Sequence, residues 1–566
     1  MLTFNPQPFE FLPALGTWLL VLVAFTVVVA VFAFIGGLLT GGFAGVRRVF
    51  SGLVRGVVDL VSISPGRTWA ITQLTFIEAR RRKAFLVFVV FALVFMFAGW
   101  FLTGSEQRAD EQVKVFVGFV LTTLSLLILP VALLLSCWGI PEDIRRRSLH
   151  TVVTKPVRRS EIVVGRMIGY VGINTIVLLV MGLVGYFWIV RQVPDEAKSA
   201  LVSRVPIFGD LRFIDREGKP KREGVNVGDI WQHRSYIEGA TPERAIFTFD
   251  GVTPDAMTSV VVKDPETGET REEERLRIES TFEAFRTYKG DMSRGIYVQY
   301  YFANPDDPEK TRVADPNAIF AIEEFKLNVQ NIPRKIQVVD DETGAERTVD
   351  LFEDVVSDDG RLQVEVAALD GAQYLGMAKA DLFIRKPDRP FASGYFKAVF
   401  GIWLMTVLVV VLGVTASTFA KGPIATLLTL TLLVIGSPFR GFMDELSNNY
   451  LASVTRSNVT LEGGGPLESI VRIVKHMNPT TELAPGVSTT VIQSVDHVFL
   501  AGLSLVRYVI PDFGVYNLSE YTSKGYDVFW STDPGLLRAM AMTLAFLLPC
   551  ILLGYYSLRF RELESK

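Results

Sequence analysis

The densest run of chemistry-bearing side chains lies between Gly139 and Arg166. It reads Glu142-Asp143-Ile144-Arg145-Arg146-Arg147-Ser148-Leu149-His150 and then Lys155-Pro156-Val157-Arg158-Arg159-Ser160-Glu161. Glu142 and Asp143 are placed to open a short helix, where acids suit the positive end of the dipole. Leu149, Val152 and Val153 give that helix an apolar side, Pro156 stops it, and Ser160 is placed to cap the next one. A short helix presenting cationic and apolar side chains is suited to docking on another protein. The same cations also stand where ordinary flanking charge of a membrane helix would stand, and both readings remain open at this point. Other chemistry is sparse. His150, His233, His476 and His497 are isolated and lack metal-ligand spacing, so no metal is expected. Cys137 and Cys550 lie in or at the end of apolar runs and form neither a disulfide framework nor a metal site. No nucleophile elbow and no G-x-x-x-x-G-K-[ST] loop occurs, so the chain is read as a non-enzyme without a catalytic residue or cofactor.

The elements that must position this run are apolar helices. The chain has 566 residues and a net charge of -3, yet its Leu, Val, Phe and Ile fall in blocks rather than being spread as in a soluble core. A helix needs about 20 mostly apolar residues to cross the hydrocarbon layer, since its backbone polar groups must be satisfied internally. Seven stretches qualify: 16–40, 84–103, 115–138, 168–190, 395–419, 423–440 and 539–558. A further stretch, Val491 to Ile510, is interrupted by Asp496, His497 and Arg507, and is expected to be interfacial or re-entrant rather than an eighth span.

Cytoplasmic flanks are enriched in Lys and Arg. Arg80 to Lys83 precede the second stretch, and Arg145 to Arg159 follow the third. Both flanks are therefore expected in the cytoplasm, with the N-terminus and residues 191–393 outside it and the C-terminus, after Arg559 and Arg561, inside. The large segment agrees in charge: residues 191–390 hold 39 Asp and Glu against 28 Lys and Arg. Its short alternating runs, such as GIYVQYYF, RKIQVVDD and SVVVKD, and its turn pairs Asn304-Pro305, Asp264-Pro265 and Asp359-Gly360, predict a mainly β domain. Glu269 to Glu274 is expected on a solvated hairpin face. The fold class is thus a polytopic α-helical membrane protein of about seven spans with an inserted, mainly β extracytoplasmic domain. Four parts are expected: 1–60, an added span and linker; 61–190, the first half of a helical core; 191–393, the β domain; and 394–566, the second half, with an external or re-entrant segment at 441–538.

The run after the third stretch resembles the permease subunits of ABC exporters of the type-2 class, including those of the multicopper-enzyme-maturation and gliding type. That family carries a Glu, a Ser or Thr followed by Leu, a Lys-Pro-Val, an Arg, a Glu, and a Gly with a basic residue after its second core span. This chain has Glu142, Ser148-Leu149, Lys155-Pro156-Val157, Arg159, Glu161 and Gly165-Arg166, and departs at Arg147, where many relatives have Gly. The amphipathic lead-in from Thr68 to Arg82 is similar to the family's connecting helix, and Pro511 to Tyr521 to its external stretch before the last span. The resemblance implies that residues 140–161 dock on a separate ATPase subunit, with Glu142, Arg145, Arg146, Arg147, Ser148, Leu149, Lys155, Pro156, Arg159 and Glu161 as the coupling residues. It also implies a second permease subunit, the same or related, in the inner membrane of a bacterium; no nucleic-acid partner is expected. Spans two to seven contain almost no Asp, Glu, Lys or Arg at mid-membrane, which fits an energy source outside them. A scaffold whose outer domain binds a partner is the alternative, although seven spans exceed what an anchor requires. Gly165 and Gly169 form a small-xxx-small pattern for close helix approach, within the chain or at a dimer contact.

Overall fold

In the computed structural model the described residues are 7–81, 86–102, 109–145, 157–221, 224, 234–263, 270–286, 296–322, 327–339, 346–371, 373–455, 465–478, 483–533 and 535–564. The chain forms two compact units. One comprises Met1–Gln7, Leu201–Gly394 and Gly525–Asp527; the other comprises Pro8–Ala200, Tyr395–Lys524 and Val528–Lys566.

The first unit is mainly β. A six-stranded antiparallel sheet has the spatial order Val313–Ile322, Ile296–Ala303, Leu362–Ala368, Arg244–Phe249, Asp210–Ile214 and Pro220–Lys221. A second antiparallel sheet orders Asn328–Pro333, Thr270–Ser280, Leu382–Pro390 and Val202–Phe208, with Thr258–Lys263 also paired to Thr270–Ser280. Strand alternation builds the core: in Arg244–Phe249 every second residue, Ala245, Phe247 and Phe249, is buried. These pack with Ile278, Tyr300 and Phe302 in one cluster. The expected turn at Asp359-Gly360 is present, with Gly360 at φ +74, a left-handed conformation that glycine adopts without steric cost. The acids Glu272 to Glu274 lie on the hairpin with Thr258–Lys263; Asp264-Pro265 and Glu269 fall outside the described residues. The segment Gly525–Asp527 joins this unit by backbone: Arg204 N donates to Gly525 O and Asp527 N to Arg204 O, both at 2.8 Å.

The second unit is helical. Its principal helices are α1 (Phe11–Val61), α2 (Pro65–Arg81), α3 (Leu86–Leu102), α4 (Ala109–Arg145), α5 (Arg159–Gln192), α6 (Phe391–Phe419), α7 (Gly422–Gly436), α8 (Arg440–Thr455), α9 (Pro466–Val474), α10 (Val487–Val509) and α11 (Leu536–Glu564). Six segments among the described residues are long and apolar enough to cross a membrane: Phe11–Gly36, Gln112–Arg145, Arg159–Gln192, Phe391–Phe419, Val487–Ser523 and Leu536–Arg559. A seventh is counted if Gly422–Gly436 and Arg440–Asn448, bent by 56°, are taken together.

The 84–103 stretch is helical over all of its described residues, as α3. One detail differs from the expected set: the 491–510 stretch lies in a helix that meets the length and composition requirement. Asp496 and Arg507 are accommodated internally, which lowers the cost that argued against a span, while His497 is exposed. Asp496 accepts the backbone N–H of Leu467 and Glu468 at 2.9 Å each, and Arg507 donates to Asn448 at 2.8 Å.

Small residues set the closest helix approach. A Cβ placed on Gly165 would sit 2.8 Å from Ile71, and one on Gly169 would sit 2.6 Å from Thr75. The small-xxx-small pattern is therefore used inside the chain, to seat α2 across the start of α5. Thr72 adds a hydrogen bond to Gly165 O at 3.2 Å. Replacing Gly169 with Leu is expected to destabilise the protein by about 1–3 kcal/mol through overpacking. Thermal unfolding in detergent should show this loss, while Gly172→Ala, where a Cβ meets nothing within 4 Å, should leave the midpoint near its starting value. Equal midpoints for the two variants would refute the packing.

Candidate functional site

The crossing of α2 over α5 brings a buried charge to the junction of three helices. Arg166, on the first turns of α5, is 4% exposed. Its guanidinium forks: Nη1 pairs with Glu78 on α2, and Nη2 pairs with Asp143 at the end of α4. Nη2 also reaches the other oxygen of Glu78 at 3.4 Å. A planar fork of donors can meet two carboxylates at once, whereas a lysine ammonium offers a single charged centre. Removing one partner of a buried pair typically costs about 3–5 kcal/mol, because the remaining charge stays uncompensated.

A second buried carboxylate lies at the start of α5. Glu161 is 0% exposed and accepts from Ser64 N at 2.9 Å, Arg158 N at 2.9 Å and Arg67 Nε at 3.1 Å. It stands in the first turn, where the helix dipole favours an anion and where its bond to Arg158 N satisfies a backbone donor next to the helix start. Through these bonds the α1–α2 corner is tied to the N-terminus of α5. Arg158 strengthens the same corner by donating to Ser62 O at 2.9 Å. Ser160 does not cap α5 as expected. The helix begins one residue earlier, at Arg159, and the Ser160 hydroxyl donates instead to Asp59 O at 3.1 Å. Asp59 accepts in turn from Tyr555 of α11 at 2.6 Å.

These contacts correct the expected short helix opening at Glu142. α4 is continuous through Pro130 and Pro141 to Arg145, so Glu142 and Asp143 lie in its last turn, where the dipole disfavours acids. They are tolerated because each has a cation: Asp143 has Arg166, and Glu142 has Arg145, whose Nη2 is 2.7 Å from Oε1. Arg145 itself is largely exposed, with 75% of its side-chain surface accessible. Arg159 is partly buried in the first turn of α5. Arg146, Arg147, Ser148, Leu149, Lys155 and Pro156 lie outside the described residues.

Of the expected coupling residues, the structure thus places Glu142 and Arg145 on the way into the segment 146–156, and Arg159 and Glu161 on the way out. Sequence reasoning assigns no role to Glu78, Arg67 or Asp59, and reads Asp143 only as a helix-opening acid. The available signal was that Glu78 and Asp59 are isolated acids in otherwise basic or apolar stretches. Nothing in sequence separation says that Arg166 lies between Glu78 and Asp143.

Chemically the arrangement is a clamp. Arg keeps its proton at any ordinary pH, so Arg166 neither shuttles protons nor activates a nucleophile. Among the described residues there is no group of three or more His, Cys, Asp or Glu side chains able to hold a metal ion. Cys137 and Cys550 are buried free thiols.

Arg166→Met is expected to lower stability by about 3–5 kcal/mol, since it strands two acids. The triple change Arg166→Met, Glu78→Gln and Asp143→Asn should recover most of that loss. Unfolding midpoints of the two variants in one detergent check the pairing, and a triple variant no more stable than the single one would refute it. Compared with family models, with curated proteins and with solved structures, the chain matches none of them.

Proposed function

We propose that this chain is the membrane-spanning permease subunit of an ATP-driven export complex, which receives motion from a separate ATPase subunit through residues 140–161. The observation that carries the reading is the double clamp around residues 146–156. The segment leaves α4 beside Asp143, which is locked to Arg166 and through it to Glu78 of α2, and re-enters α5 beside Glu161, locked to Arg67 and the Ser64 backbone. Motion imposed on a segment held at both ends passes into the helices instead of being absorbed by loose joints. The clamp also includes α2, so a push on 146–156 is delivered to α2, α4 and α5 together.

The helical unit supports a membrane location. Leu126, Phe187, Leu427 and Leu544 are 63–68% exposed, while polar side chains bond inward. Trp403 Nε1 donates to Thr175 at 2.7 Å, and Tyr395 donates to Gly182 O at 2.9 Å. Such an exterior favours an apolar solvent. In this reading residues 140–161 and the C-terminus face the cytoplasm, and the N-terminus and β unit lie outside it. The membrane is the bacterial inner membrane, and the chain pairs with a second permease subunit, the same or related.

Two experiments test the proposal. Single cysteines at His150 and Tyr300, the latter with denaturation to expose it, should be modified from opposite faces of sealed vesicles; labelling from one face rejects the arrangement. Isolated from its native membrane, the complex should hydrolyse ATP. Arg145→Glu combined with Arg146→Glu and Arg147→Glu should lower that hydrolysis about tenfold or more, corresponding to at least ~1.4 kcal/mol of lost docking. Unchanged hydrolysis and assembly with the reversed charges would reject docking through this segment.

A further inference from the structure

The helix α9 has its polarity turned inside out. Glu468 and Arg472, one turn apart, are each 7% exposed and pair at 2.8 Å. Asp496 of α10, 3% exposed, holds the first turn of α9 by accepting from Leu467 N and Glu468 N at 2.9 Å. The opposite face consists of Leu467, Ile470, Ile473 and Val474, exposed by 41, 55, 72 and 73%. A surface helix in water shows the reverse order, apolar inward and charged outward. Its partner α10 repeats the inversion: Asp496 and Ser504 face inward, while Val487, Val498, Leu505 and Val509 are 65–84% exposed. The apolar face of α9 therefore accompanies an apolar face on the helix it packs against.

We propose that α9 is an interfacial membrane anchor: Leu467, Ile470, Ile473 and Val474 lie in the acyl-chain edge of the bilayer, with Glu468 and Arg472 buried as a pair on the opposite face and Asp496 holding the first turn. Three observations select lipid hydrocarbon as the occupant. The face is wholly aliphatic and carries none of the aromatic or Arg anchors that mark the centres of protein interfaces. It has no hydrogen-bonding side chain to set a register with a protein partner. Lys475 and His476, exposed directly after Val474, stand where a helix lying on the membrane offers cations to headgroups. The inference rests on the membrane reading above and extends it. The chain between α8 and α11 is held at the membrane surface by a helix too short to cross the bilayer, whose charges are neutralised before they meet lipid.

The test uses the full-length protein, reconstituted in lipid nanodiscs, with Cys137 and Cys550 replaced by Ala. Ile470→Cys and Ile473→Cys each carry a small fluorophore, and Leu427→Cys on α7 serves as the membrane-insertion control. The expected result is loss of fluorescence at 470 and 473 with phospholipid bearing a nitroxide on its acyl chain, and no loss with aqueous iodide. Quenching by iodide would place the face in water and overturn the proposal. Quenching by neither agent would mean that protein covers it, whether a second copy or another subunit, and would overturn it too. If position 427 also escapes the lipid nitroxide, the membrane reading itself has failed. If 427 is quenched while 470 and 473 are not, the anchor alone has failed. Val474→Cys provides the same readout should either isoleucine variant fail to elute as a single folded species.

Discussion

A guanidinium withdrawn from water must be met by carboxylates, and at Arg166 both come from helices other than its own. This requirement organises one end of the helical unit. Glu78 reaches Arg166 only because α2 lies directly on α5, which Gly165 and Gly169 permit by presenting no side chain to Ile71 and Thr75. Asp143 reaches it only because α4 continues past Pro141 for another turn. The acid thereby sits at the unfavourable end of its helix, and the ion pair offsets that position. Glu161 adds the second constraint by binding the α1–α2 corner. Four helices are thus referred to one another by two buried carboxylate sites and one buried cation.

The β unit is organised on a different principle. Its core is a cluster of aliphatic and aromatic side chains delivered by strand alternation, and the strand Leu362–Ala368 is buried along its whole length. It also contains a buried ion pair, Arg385 Nη1 to Glu279 at 2.5 Å, on adjacent strands of the second sheet. Arg389 binds Asp527 at 2.9 Å, so the annexed segment Gly525–Asp527 is held by charge as well as by backbone hydrogen bonds. That segment runs on toward α11 within a few residues. The unit therefore includes residues far apart in sequence, and a contiguous 191–393 boundary captures most of it but not this piece.

Helix existence and type were largely legible in the sequence, because long uncharged runs admit few conformations in which every backbone group is bonded. The β strands around GIYVQYYF, RKIQVVDD and SVVVKD were legible for the same class of reason, a period of two in apolar side chains. Helix ends were less so. Glu142 and Asp143 looked like the opening of a new helix and instead lie in the last turn of α4; Ser160 looked like a cap and is instead a donor to Asp59. Both errors come from judging a terminus by local propensity when contacts with another helix decide it. The 491–510 stretch was hard to read for the opposite reason, since Asp496 and Arg507 are costly only while unpaired and their partners lie elsewhere in the chain.

By itself, then, the amino-acid sequence determined which stretches are apolar helices, that residues 191–393 are mainly β, and where cations gather around residues 145–159. These properties follow from composition and periodicity over neighbouring residues, which the chain carries before it folds. Only the tertiary structure decided that Arg166 lies between Glu78 and Asp143, that Gly165 and Gly169 serve a contact inside the chain, and that α9 turns its charges inward. Each of these depends on residues 20 to 100 positions apart meeting in space. Such meetings are set by packing and by the need to neutralise buried charge, and no local pattern encodes them.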